Sequence, residues 1–245
     1  MRMQRGWEAQ AGNWARFAGG PGLDRWHERA NLPAMLGLLP PPAGRVLDLG
    51  CGEGRVSRVL ADRGYHVVGL DAAQALVRLA ASHEPRQPYV AGNGGALPFR
   101  DQSFDLVLAY MSLHDIDCMP EAVGEAARVL RSGGRLCLAI VHPLSSAGEF
   151  SARTADAPFQ VTGSYLDARP ADWVLDRDGH RIVFHSEHRP IEAYSRAIEA
   201  AGLLIEAIRE VRPLAPADPG DAAARHQRIP AFLHMRAVRA QSRFS

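Results

Sequence analysis

The sequence predicts an α/β domain built on a parallel sheet with helices on both faces, and three observations lead there. Short apolar runs recur at strand spacing, at 45–49, 66–70, 88–91, 104–110 and 135–141. Amphipathic stretches of helical period separate most of them. The first run ends in a glycine-rich turn, Gly50-Cys-Gly-Glu-Gly54, and the second ends in a carboxylate, Asp71. Strand and helix alternating in this way place a ligand at the carboxyl ends of the strands.

Taken in order, residues 1–42 hold three of the four tryptophans (Trp7, Trp14, Trp26) and end in Pro40-Pro-Pro42. They predict a cap of two or three short helices. The strand at 45–49 is followed by a helix over 54–63, a strand at 66–70, a helix over 73–83, and strands at 88–91 and 104–110. A helix over 119–130 comes next, with Ala122, Val123, Ala126, Val129 and Leu130 as its apolar stripe. Ser132-Gly-Gly134 then turns the chain into the strand at 135–141. Beyond Val141 the alternation stops. Residues 143–189 are polar and turn-rich, with Asp176-Arg-Asp-Gly-His180 as a hairpin signal between 172–176 and 180–186. A helix over 191–201 and strands at 203–211 and 231–238 resume the core. The Pro-, Ala-, Asp- and Gly-rich stretch 213–230 predicts a mobile loop. The expected organisation is a helical cap over 1–42 and a core over 43–245, with an insertion at 143–189; both additions lie over the strand tips.

The glycine loop carries the chemistry. Gly50, Gly52 and Gly54 tolerate positive φ and leave no Cβ between the backbone and a ligand. Asp71 is placed to accept from two ribose hydroxyls, as an acid does in nucleotide-binding βαβ units. The dinucleotide fingerprint G-x-G-x-x-G would require glycine at 55, where this chain has Arg55. Glu53 also stands where a helix N-terminus would otherwise receive a pyrophosphate. A carboxylate there repels an anion and tolerates a cationic, phosphate-free ligand. S-adenosylmethionine fits: a ribose for Asp71, a sulfonium, and an ammonium that Asp48 or Glu53 favours.

Further segments extend the pattern: Val46-Leu-Asp-Leu-Gly-Cys-Gly-Glu-Gly54, Gly69-Leu-Asp71, Leu97-Pro-Phe99, Ser103-Phe-Asp-Leu-Val107 and Glu125-Ala-Ala-Arg-Val-Leu-Arg-Ser-Gly-Gly134. Together they resemble class I S-adenosylmethionine-dependent methyltransferases. The likeness is to the small-molecule branch that includes the ubiquinone/menaquinone type. It is close over about 40–141 and looser over 190–238. It implies a Rossmann-like seven-stranded sheet of order 3-2-1-4-5-7-6 with the seventh strand antiparallel, 203–211 and 231–238 being the last two strands. It also implies that Gly50, Gly52 and Gly54 pass under the cofactor, that Asp71 binds the ribose, and that Tyr110 or Met111 lines the methionine portion. Where the family usually has Asp to accept from the adenine amino group, this chain has Asn93, whose side chain offers an acceptor and a donor.

Methyl transfer from a sulfonium is an in-line displacement, and a base is required only when the acceptor loses a proton. Three histidines near strand ends are candidates: His114 in Leu113-His-Asp115, His142 in Val141-His-Pro143, and His188 in His188-Arg-Pro190. Each also has a structural alternative, capping a helix or bonding a carbonyl. His185 and His188 lack a completing carboxylate or cysteine, so no metal is expected.

Composition narrows the partners. The net charge of +1 gives no attraction to nucleic acid or anionic lipid. No 18-residue apolar run exists, so no membrane insertion is expected. The N-terminus lacks the apolar core of a secretory signal, and the three cysteines form no C-x-x-C pair. A cytoplasmic, soluble enzyme acting on a compact, partly apolar metabolite is the expectation, with the methylated atom and oligomeric state left open. The alternatives are a nucleic-acid or protein methyltransferase, a non-catalytic S-adenosylmethionine-binding protein, or an NAD enzyme. Against the first, Ala109-Tyr-Met-Ser112 stands where base-methylating enzymes carry Asn/Asp-Pro-Pro-Tyr.

Overall fold

Val46, Leu47 and Leu49 are all fully buried, as expected of a strand covered on both faces. They belong to β1 (Arg45–Leu49), a central strand of the sheet. The computed structural model describes residues 1–20, 24–177, 179–212 and 222–240. Before β1 come α1 (Arg2–Gly19) and a π-helical turn at His27–Asn31 that runs into α2 (Leu32–Leu38). After it come α3 (Arg55–Asp62), β2 (His66–Asp71), α4 (Gln74–His83), β3 (Tyr89–Ala91), β4 (Phe104–Tyr110), α5 (Met119–Val129) and β5 (Leu130–Val141). The insertion holds α6 (Pro143–Ser146), β6 (Gly148–Phe150), β7 (Phe159–Val161), β8 (Arg169–Pro170), β9 (Trp173–Arg177), β10 (His180–Phe184) and β11 (Glu187–His188). The core closes with α7 (Ile191–Ala200), β12 (Leu203–Val211) and β13 (Phe232–Arg239).

The large sheet runs β12-β13-β5-β4-β1-β2-β3. Six strands run in the same direction, and β13 alone is antiparallel to both of its neighbours. Counting core strands alone, this is 3-2-1-4-5-7-6, the Rossmann-like order expected. On one face α5 and α7 pack over Leu47, Val107, Leu136 and Leu138. On the other, α2 and α3 cover Val46, Leu106 and Leu108. The alternation of side chains across each strand makes both faces apolar. No helix among the described residues is long and apolar enough to cross a membrane.

Four details differ from the sequence reading. The N-terminal segment opens with one 18-residue helix rather than several short ones. Gly6, which lowers helix propensity, sits where a Cβ would stand 2.2 Å from the His185 ring, so packing accounts for it. The strand expected from 135 begins at Leu130: Leu130 pairs with Phe104 and Arg135 with Leu106, and the Ser132-Gly-Gly134 turn bulges out between. Of the stretch expected to be a mobile loop, 213–221 lies outside the described residues, and Ala222–Gln227 is a 3-10 helix. The insertion forms the expected hairpin, β9 with β10, and adds two antiparallel ladders that the sequence reading did not give, β6 with β7 and β8 with β11, none of them joined to the main sheet.

Candidate functional site

A cavity of about 1300 Å³ lies over the carboxyl ends of β1, β2 and β4. Its floor starts at the glycine loop, where Gly50, Gly52 and Gly54 have φ of 77°, 58° and 82°. The N–H groups of Gly50 and Cys51 both donate to the Leu70 carbonyl, at 2.7 and 3.0 Å, which fastens the loop across β2. The glycines answer to different constraints. A Cβ on Gly50 would lie 2.4 Å from Ser112 Cβ, and one on Gly54 would lie 2.5 Å from the Tyr89 hydroxyl. A Cβ on Gly52 would meet nothing within 4 Å except Trp14 Nε1, at 3.4 Å. Gly50 and Gly52 line the cavity; Gly54 does not. Gly54 caps α3 in a left-handed conformation and makes room for Tyr89, set back from the wall that Gly50 and Gly52 form.

Three carboxylates gather around this loop. Asp71 accepts from the Gly52 N–H at 2.9 Å and the Ala73 N–H at 2.8 Å, one per oxygen. Each oxygen retains a further lone pair. Asp48, 1% exposed, accepts from Ser57 Oγ at 2.6 Å. Glu53, 3% exposed, accepts from Trp14 Nε1 at 2.7 Å. Burial pushes the Asp48 carboxyl up to about 7 and the Asp71 carboxyl up to about 6. A pyrophosphate would add negative charge to this cluster. A sulfonium or ammonium would offset the carboxylates' repulsion and desolvation. The cradle fits S-adenosylmethionine on charge and on the space over Gly52.

The end of β4 supplies the next wall. The Tyr110 hydroxyl is 3.0 Å from His27 Nδ1. Burial raises the Tyr110 pKa and, with Arg55 nearby, lowers that of His27 to about 4, leaving both neutral. Met111 takes a left-handed φ of 55° while its N–H donates to Ala139; a non-glycine residue held there is strained. Ser112 Oγ donates to the Leu49 carbonyl at 2.6 Å, joining the tips of β4 and β1. Asn93 lines the cavity, and its Oδ1 accepts from the Gly95 N–H at 2.9 Å. The oxygen expected to read adenine thus also holds a turn.

His114 and Asp115 follow in a 3-10 turn and line the same cavity. His114 Nε2 lies 3.5 Å from Asp115 Oδ1, and His114 Nδ1 is buried without a partner among the described residues. Burial, reinforced by Arg189, pushes His114 down to about 3, so the ring is neutral. Asp115 accepts from Ser186 Oγ at 2.5 Å, and burial pushes its carboxyl up to about 7.

The cavity is roofed by α1 and the β9–β10 hairpin. Trp7 and Trp14 meet edge to face at 5.6 Å, and Phe184 packs against both. Trp173 stacks on Phe184 at 4.0 Å. Arg2 donates to both oxygens of Asp172, at 2.6 and 2.8 Å, and to the Ser186 carbonyl. Trp26, on the opposite wall, lies 5.0 Å from the His226 ring.

His142 and His188 are corrections. Neither lines the cavity. His142 Nδ1 accepts from the Leu144 N–H at 3.0 Å, capping α6, and Nε2 donates to Glu210 at 3.1 Å. His188 is fully buried, with Nδ1 at 2.7 Å from Ser146 Oγ and Nε2 donating to the Tyr165 carbonyl at 2.9 Å. Both nitrogens of each ring are committed to the fold, so neither ring can take a substrate proton in place. Sequence reasoning missed His27, brought in by the π-helical turn, and Asp115 as a cavity residue. The adjacency of Asp115 to His114 was the one available signal.

Residues 47–138 match the family described as "Methyltransferase domain". The demethylmenaquinone methyltransferase of Beutenbergia cavernae is 40% identical over 118 residues, 48% of this chain and 48% of that protein. The malonyl-[acyl-carrier protein] O-methyltransferase of Methylococcus capsulatus is 39% identical over 103 residues, 40% of this chain and 38% of that one. The chain spans half or less of the length of these curated relatives. A crystal structure of an S-adenosylmethionine dependent methyltransferase from Mesorhizobium loti superposes with a TM-score of 0.71 at 26% identity. It covers 84% of this chain and 96% of that one.

Proposed function

We propose, for a chain whose residues 47–138 match the methyltransferase domain family and whose sheet has the class I methyltransferase order, that it transfers a methyl group from S-adenosylmethionine to a small-molecule acceptor. The observation that carries this reading is the trio of buried Asp48, buried Glu53 and half-buried Asp71 around an open glycine loop, where a cationic nucleoside suits the charge. Asp71 would hold the ribose and Asp48 the ammonium. Gly50 and Gly52 would lie beneath the cofactor, Asn93 beside the adenine, and Tyr110 and Met111 along the methionine portion. Bound there, the cofactor supplies a methyl group on an already activated leaving group.

The rest is positioning and proton handling by the chain. Residues 1–42 act as a cap and 143–189 as a covering insertion on a core over 43–245. Their aromatic side chains exclude water and orient the acceptor. Where the acceptor loses a proton, the His114–Asp115 pair at the cavity wall takes it. The three unpaired cysteines suit a reducing, cytoplasmic compartment.

The test is calorimetry of S-adenosylmethionine, S-adenosylhomocysteine and NAD, followed by label transfer from methyl-labelled cofactor. The first acceptors to try are demethylmenaquinone and malonyl-[acyl-carrier protein], the names its relatives carry. Cofactor binding with label reaching a small molecule supports the reading. Tighter binding of NAD, or label appearing in nucleic acid or on a protein side chain, overturns it.

A further inference from the structure

Away from the glycine loop, the cavity changes sign. The wall contributed by the insertion and by the 3-10 helix Ala222–Gln227 brings Arg153, Arg169 and Arg225 to the cavity; of the carboxylates it brings there, Asp172 is paired with Arg2 and Glu187 with Arg189, which leaves the exposed Glu149. None of these arginines is in an ion pair among the described residues. The three surround one element, the β6–β7 hairpin. Arg169 Nη2 donates to the carbonyls of Ser146, Ala147 and Thr162, at 3.4, 3.0 and 3.0 Å. Arg225 Nη1 donates to Ala152 at 2.8 Å, and its guanidinium sits over the Phe150 ring at 5.3 Å. Arg153 is in the turn that begins there.

Two of these guanidiniums are set in place before any ligand arrives. Arg225 is held at a third point, where Nε donates to His226 Nε2 at 3.3 Å. His226 is wedged between Trp26 and Phe150, at 5.0 and 4.9 Å. Burial and the neighbouring Arg225 push it down to about 4, so the ring is a neutral acceptor. Arg169, anchored through Nη2, keeps its Nε buried with no partner among the described residues. A buried N–H left unpaired is costly unless something accepts from it. A guanidinium fork matches the paired oxygens of a carboxylate or phosphate, and a prefixed fork loses little entropy on binding.

The geometry points to an oxyanion subsite here, formed by Arg169, Arg225 and Arg153, that receives a carboxylate or phosphate group carried by the acceptor. That the anion belongs to the acceptor rests on the methyltransferase reading; the subsite itself does not. The cavity then sorts its two ligands by charge, with a cation at the acidic strand tips and an anion at the basic hairpin.

The experiment is titration of benzoate and of inorganic phosphate into the full chain saturated with S-adenosylhomocysteine. Tighter binding of benzoate identifies a carboxylate site, and tighter binding of phosphate a phosphate site. Arg169→Gln and Arg225→Gln should each weaken the preferred anion about tenfold or more and leave S-adenosylhomocysteine affinity within about twofold. Arg153→Gln, whose exposed side chain makes no hydrogen bond or ion pair among the described residues, should weaken it severalfold and serves if Arg169→Gln unfolds. No binding of either anion, equal binding by all variants, or competition with S-adenosylhomocysteine would overturn the subsite. Anion binding that depends on these arginines in a chain that fails to bind S-adenosylhomocysteine would keep the subsite and remove the methyltransferase reading.

Discussion

The indole N–H of Trp14 donates to Glu53 Oε2 at 2.7 Å, tying the N-terminal helix to the glycine loop. The Arg55 guanidinium lies over the same indole at 4.9 Å. Trp14→Phe keeps a ring there and removes the N–H, leaving a buried carboxylate short of a donor at about 1–3 kcal/mol. Calorimetry should show S-adenosylhomocysteine binding weakened about tenfold, with a lowered melting temperature. Unchanged affinity would mean the helix and the loop are energetically independent.

Asp71→Ala should weaken cofactor binding about ten- to a hundredfold, because a charge-assisted contact is worth roughly 1.5–3 kcal/mol. Gly52→Val should be worse: a branched residue is strained at φ 58° and fills open cavity space. Circular dichroism on both variants separates lost binding from lost fold.

Among the histidines, the structure predicts a split. With an acceptor that loses a proton, His114→Ala should lower turnover about a hundredfold or more and leave cofactor affinity unchanged. His142→Ala and His188→Ala should keep turnover and lose stability, because Leu144 N–H and the Tyr165 carbonyl would lose their partners. Turnover and thermal melts on the three variants decide it.

Cofactor affinity should also depend on pH. The Asp48 and Asp71 carboxyls, raised to about 7 and about 6, are ionised only toward neutral and higher pH. The ammonium and the sulfonium both favour the ionised forms, so binding weakens as pH falls through this range, approaching about tenfold per unit for each proton that must be expelled. S-adenosylhomocysteine, which lacks the sulfonium charge, should show a shallower slope between about pH 8 and pH 5.5. For stability the sign reverses: a raised carboxyl contributes stability in full below its ordinary value of 3.8, and that contribution is lost as pH rises from there through its folded value. Parallel slopes for the two ligands would detach these acids from the sulfonium.

The sheet was readable because each strand advertises itself locally: Val46-Leu47, Val67-Val68 and Leu106-Val107-Leu108 are apolar runs closed by turns. The acids at 48, 53 and 71 were readable for a related reason, since a strand tip and its loop fix where a side chain sits. The histidines were not. His142 and His188 occupy plausible positions along the chain, but their hydrogens are bound by Glu210 and Tyr165, residues 68 and 23 positions away. No local pattern encodes such partners. The length of α1 was hidden for a similar reason, as Gly6 looks like a helix breaker until His185 is seen packed against it.

The contact between Arg2 and Asp172 spans 170 residues, and it governs the order in which the molecule can be completed during synthesis. The N-terminal helix leaves the ribosome first, yet Asp172, Phe184 and Ser186 do not exist until much later. At about 5–20 residues per second the wait is on the order of ten to thirty seconds. Throughout it Trp7, Trp14 and Phe17 lack the hairpin that covers them. The glycine loop and β1 to β4 can assemble meanwhile, since their contacts are closer in sequence. The nascent chain therefore passes through a stage with a formed nucleoside cradle, an open top and an aromatic helix in search of a surface, a stage at which chaperones or early cofactor capture would have the most to act on.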